Sequence, residues 1–134
     1  MTIKYTSNSI VKKIFTGLIL IGVFLCFYIF GKIRTNEIKT HLRLCNGYVY
    51  ETSIQHRGWV NLAYEFQVNG KRFKELKVLG VPSTHRKMFL DRNFPVVYSL
   101  DNIDFNDMLI VPEDFQKYNI SFPDSLNWVI KYLK

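Results

Sequence analysis

The chain has 134 residues, 48% hydrophobic and 16% aromatic, with two cysteines and a formal net charge of +7. Setting aside one long apolar run leaves about one hundred residues, enough for one small core and too few for two domains. The positive charge does not mark a nucleic-acid binder: residues 1–34 carry five Lys or Arg and no acid, while residues 35–134 carry thirteen against all eleven acids.

The excess is therefore juxtamembrane, where basic side chains meet lipid headgroups. Residues 1–13 form a basic tail with Lys4, Lys12 and Lys13, and residues 14–33 are read as a transmembrane helix. No charged side chain occurs from Ile14 to Gly31. At about 1.5 Å per residue Ile14 to Phe30 gives roughly 26 Å, and Lys13 and Lys32 snorkelling outward extend it to the ~30 Å hydrocarbon thickness. A cleaved signal peptide has a shorter apolar core ending at small residues, whereas this run ends in Phe27, Tyr28, Ile29 and Phe30. An uncleaved signal anchor is the expectation.

Basic residues flank both ends, Lys32, Arg34, Lys39 and Arg43 on the far side, so the positive-inside rule decides little. A single early span before a long remainder leads us to expect the amino terminus inside and the domain outside the cytoplasm. Thr16, Gly17 and Gly22 are small but lack the spacing of a GxxxG pair. Cys26 in the span and Cys45 beyond it are too poorly placed to bridge; Cys45 is expected to be buried, the alternative being a thiol available for pairing between chains.

Residues 34–45 read as a stalk continuing the helix, with Ile38, Leu42 and Leu44 as its apolar positions, and Gly47 as its breaker. Residues 46–134 then read as a small β-rich domain with a C-terminal helix. Tyr48 to Ile54 makes a first strand, and His56-Arg57-Gly58 a turn. From Trp59 to Val68, Leu62, Tyr64, Phe66 and Val68 alternate with polar positions, and Asn69-Gly70 follows. Asn-Gly between alternating strands is the strongest short hairpin signal, placing a hairpin over Trp59 to Leu79.

The return strand, Lys71 to Leu79, is basic and less cleanly apolar. Ser83 or Thr84 is placed to cap a helical turn running to Leu90. Phe94 to Leu100 supplies another strand, Asp101 to Asp107 a loop, Met108 to Val111 a short strand, and Pro112 turns the chain away. Asp124 or Ser125 opens a last amphipathic helix to Lys134, with Leu126, Val129, Ile130 and Leu133 on one face. The class is α+β: a transmembrane helix, an antiparallel domain of four or five strands, and a C-terminal amphipathic helix.

The hairpin YEFQVNGKRF (Tyr64 to Phe73) and the strand FPVVYSLDN (Phe94 to Asn102) carry a resemblance. The stretch from about Gly47 to Leu109 resembles small single-pass bacterial membrane proteins of unknown function, in which a v-n-G-k-x-y hairpin precedes a v-x-V-x-Y strand. That resemblance implies a membrane-tethered β module and supplies no catalytic residues.

No catalytic, cofactor or metal residue is assigned. His41, His56 and His85 have no metal-ligand spacing, and no G-x-S-x-G, glycine-rich phosphate loop or H-E-x-x-H occurs. Asp101, Asp104 and Asp107 recur every third residue without the pattern of a calcium loop, and read as an exposed acidic turn. The aromatic rings read first as core, with Tyr28 and Trp128 as interface-belt residues. Lys71, Arg72, Lys74 and Lys77 read as a solvated edge that discourages sheet aggregation, or as a patch facing anionic headgroups. Together with Trp128 they form the candidate interaction surface.

The expected role is that of a membrane-anchored, non-enzymatic binding or accessory module, with the bilayer and another membrane or envelope protein as partners. Nucleic acid and cofactors are not expected. The alternatives are an immunity-type inhibitor of a membrane or envelope toxin, a subunit stabilising a larger membrane complex, and a small envelope enzyme without a motif. The enzyme would need a pocket joining Asp101, Asp104 or Asp107 to His56 or His85.

Overall fold

The computed structural model of the chain describes residues 6–133, so Lys4 of the basic tail and Lys134 at the end of the last helix lie outside the described residues. Two compact units are present, one up to Asn36 and one from Glu37 onward.

The first unit is helical. Helix α1 runs Thr6–Thr40, its last residues from Glu37 belonging to the second unit. Leu, Ile and Phe dominate it and proline is absent, so nothing interrupts its ladder. The hydroxyl of Thr16 donates back to the Lys12 carbonyl at 2.9 Å and that of Thr35 to Gly31 at 2.9 Å, so neither is left without a partner in an apolar setting. The stretch Ile10–Thr40 is long and apolar enough to cross a bilayer, and none of its most apolar window is buried within the chain. It is thus no core helix of this chain.

The second unit is a five-stranded antiparallel sheet of β1 (Leu42–Ile54), β2 (Val60–Val68), β3 (Lys71–Leu79), β4 (Arg92–Ser99) and β5 (Asn106–Met108), in the order β3-β2-β1-β4-β5. Strands β1 to β3 are consecutive and β4 returns to lie beside β1, which is a Greek key. The sheet curls until its two edges come within reach of one side-chain bridge. The class is α+β, as expected.

The hairpin stands where the alternation put it. Asn69 (φ 51°) and Gly70 (φ 78°) both lie in the left-handed region that the Asn-Gly turn requires. Leu62, Tyr64, Phe66 and Val68 all face the core, where Phe66 stacks on Phe73 and Tyr98. The predicted turn at Ser83 is a 3-10 segment, Ser83–Met88, without a side-chain cap.

Three readings of the sequence differ from what the fold shows here. The stalk ends at Thr40, and Leu42 to Cys45 belong to β1, paired with Ser99 to Val96 of β4. Gly47 breaks no helix: it lies mid-strand, where a Cβ would stand 2.5 Å from Val96 Cγ2 and 2.8 Å from Met108 Cε. A glycine there lets the curled strands approach. Of the strand expected at Met108 to Val111, Met108 pairs with Val96 and the Leu109 N–H donates to the Pro95 carbonyl at 2.8 Å, beyond which Asp114 takes the N–H groups of Ile110 and Val111 at 3.0 and 3.2 Å.

That capping opens an element not foreseen, α2 (Pro112–Lys117), with proline in its first turn and Phe115 buried. The C-terminal helix is short: a 3-10 turn Asp124–Leu126 leads into α3 (Asn127–Ile130). Leu126 and Val129 are buried and Leu133 packs on the core, but Ile130 is exposed.

Candidate functional site

Alternation along β3 divides the four basic residues that the sequence grouped together. Arg72, Lys74, Leu76 and Val78 share the outer face of the sheet, while Lys71 and Lys77 share the inner parity with Phe73 and Leu79. Lys77 leaves the solvated edge altogether. Its side chain is only 15% exposed, and its ammonium donates to Asp107 Oδ1 at 2.8 Å and Asp114 Oδ1 at 2.7 Å.

This bridge ties the β3 edge to β5 and α2. Asp107 also accepts from Lys117 at 3.1 Å and from the Tyr118 hydroxyl at 3.0 Å through Oδ2. Burial alone would lower the Lys77 pKa, but the two carboxylates outweigh it and hold the ammonium above its ordinary value. Burial likewise works against the Asp107 carboxylate, and Lys77 and Lys117 outweigh it and hold Asp107 below the usual range. A lysine so held stays protonated, which makes it a clamp and not a nucleophile.

The outer face of β1–β3 has two halves. In the polar half, Arg72 pairs with Glu65 at 3.6 Å, Lys74 lies 5.1 Å from the centre of the Tyr50 ring, and the Tyr48 hydroxyl donates to Asp91 at 2.7 Å. In the other half Leu76 stands opposite Ala63, and Val78 opposite Asn61. Ala63 is too small to cover its neighbour, so Leu76 is 70% exposed, and Val78 is exposed beside it. The sequence read the return strand only as basic and less cleanly apolar, and did not single out Leu76 and Val78.

Trp128 sits elsewhere. It is half-buried between Phe89, Phe94 and Tyr132, with the Arg92 guanidinium 4.5 Å from its ring centre. Cys45 is half-buried, with its thiol pushed up by burial, and both cysteines are free.

The three aspartates do not form one exposed turn. Asp101 pairs with His41 Nδ1 at 3.3 Å, Asp104 is exposed, and Asp107 lies in the Lys77 clamp. His56 is exposed in the β1–β2 turn, and His85 packs its ring 4.8 Å from that of Tyr132. Two open depressions are among those on the domain. One of about 290 Å³ is lined by Cys45, Asn46, Tyr48, Glu65, Phe66 and Gln67. The other, about 440 Å³, lies over Gln116, Asn119 and Phe122. Neither lining contains a histidine or an aspartate.

No family model matches the chain, and neither a curated protein nor a solved structure matches it.

Proposed function

We propose that the chain is a single-pass membrane protein whose outer domain binds a partner without catalysis, through the outer face of β1–β3. The observation that carries this reading is Leu76, 70% exposed beside Val78 on a sheet whose other face is a packed core. An apolar centre rimmed by charge is the anatomy of a protein-binding patch. Arg72 and Lys74 at its rim call for a partner with an apolar centre and an acidic border, and a tethered domain meets such a partner on another membrane or envelope protein.

The span is an uncleaved anchor, as its length and bulky end indicate, and one early span before a long remainder puts the amino terminus inside. The separate settings of Asp101, Asp104, Asp107, His56 and His85 favour a binder over an enzyme. The test places a photo-crosslinking residue at position 76 of the full-length protein in its membrane, with position 104 as control, alongside protease protection in spheroplasts. One protein captured from position 76 only, with the domain accessible from outside, is the expected result. Equal capture from both positions overturns the site, and protection of the domain overturns the orientation.

A further inference from the structure

We infer that Glu37, His41 and Asp101 form a divalent-cation site, and that Zn²⁺ is the ion their chemistry fits. Glu37, in the last turn of α1, and His41, the residue after it, are four residues apart, and the His41 N–H still donates to the Glu37 carbonyl at 3.2 Å, so their side chains lie on one side. Asp101 follows β4 by two residues. One ligand atom from each of the three lies within 4.8 Å of the others, and His41 Nδ1 is 3.3 Å from Asp101 Oδ2. Two donors at about 2.0–2.1 Å from a tetrahedral Zn²⁺ stand roughly 3.4 Å apart. The His–Asp pair already has that separation, and a Glu37 carboxylate oxygen lies within 4.8 Å of both.

Electrostatics favours an ion at this point. Two carboxylates are held together against their mutual repulsion, with one imidazole within reach of both. A 2+ ion neutralises both at once.

The three ligand-bearing segments are also fixed to one another independently of any ion. Buried Ser99, the last residue of β4, donates its hydroxyl to Glu37 Oε1 at 3.3 Å and accepts the Asp101 N–H at 3.3 Å. The Leu100 N–H donates to the His41 carbonyl at 3.0 Å. Outer contacts of this kind orient metal ligands in built sites.

One nitrogen and two oxygens suit Zn²⁺, whereas Mg²⁺ and Ca²⁺ favour six or more oxygens. The Asp101 side chain is 59% exposed, so a fourth position would be open to water. Bound there, the ion clamps the β4–β5 loop to the end of α1.

The test uses the full-length protein in detergent, purified on a tag without histidine and stripped with chelator. Zn²⁺ is titrated by calorimetry, and Co²⁺ is followed by the visible absorption of its tetrahedral complex. The expected result is about one equivalent of each metal. Affinity falls at least ~10-fold in His41→Asn and in Asp101→Asn, and in Ser99→Ala by about 10-fold, as loss of an orienting contact predicts. The control His85→Ala leaves it unchanged. Melting of each metal-free variant confirms that the fold persists. Absence of saturable binding, or binding that survives both His41→Asn and Asp101→Asn, overturns the site.

Discussion

Gly47 shows how one residue sets the curvature of this sheet. It lies opposite Phe66 on β2 and Phe94 on β4, and the space its missing Cβ leaves is taken by Val96 and Met108. Because Val96 is a stiff, fully buried side chain, Gly47→Ala forces the strands apart instead of bending a flexible neighbour. Overpacking of this kind costs about 1 to 3 kcal/mol. Denaturant midpoints of the full-length protein in detergent would show the loss, and an unchanged midpoint would mean the sheet relaxes freely.

Lys77 sets the other limit of the curl. Lys77→Met leaves Asp107 and Asp114 buried without their shared cation, although Lys117, Tyr118 and two backbone N–H groups remain to them. Breaking a buried pair costs roughly 3 to 5 kcal/mol, and the residual partners place this case near 3. The pH dependence follows from the two directions. Asp107, held below its ordinary value, contributes stability that is full above the unfolded-chain pKa of about 4 and is lost as pH falls through the lower folded value. Lys77, held above its ordinary value, contributes stability that is full below about 10.4 and is lost as pH rises through the higher folded value. A stability plateau between those limits is expected. Its acid arm is shallower in Asp107→Asn, measured by denaturation across pH; identical acid arms would exclude Asp107 as a contributor.

Among the elements, the β2–β3 hairpin depends most on its turn. Gly70 has φ 78° and Gly58 has φ 75°, where an L side chain costs about 1 to 2 kcal/mol, so Gly70→Ala and Gly58→Ala each lower stability by about that amount, read from denaturant midpoints. An unchanged midpoint in Gly70→Ala would mean that the turn relaxes out of the left-handed region at no cost. This hairpin was legible because Asn69-Gly70 and the alternation from Leu62 to Val68 act within a few residues. What was not legible acts across the chain. Leu42-Arg43-Leu44-Cys45 reads equally well as helix or strand until β4 pairs with it, and six-residue α2, with Phe115 its sole buried side chain, is too short for periodicity to register. Lys77 looked like one more edge charge because Asp107 and Asp114 are thirty and thirty-seven residues away. His41 showed no metal-ligand spacing to another His or to Cys45, and Asp101 read as part of an acidic turn, because only the fold brings Asp101, sixty residues on, to Glu37 and His41.

At the scale of the whole molecule the question is what α1 contributes to binding. A tether confers no specificity; it holds a weak binder at high local concentration, which can raise apparent affinity by about 10² to 10⁴. Two variants separate that role from a specific one. Exchanging Ile14 to Phe30 for an unrelated apolar helix of equal length keeps the domain at the bilayer and, for a tether, leaves crosslinking from position 76 unchanged. Removing residues 1–34 frees the domain and, for a tether, lowers capture at least ~100-fold while leaving the Leu76 patch intact. Loss of capture on the exchange alone would instead assign the recognition to the span itself, as in a subunit of a larger membrane complex, and the exposed face of β1–β3 would then need a different occupant.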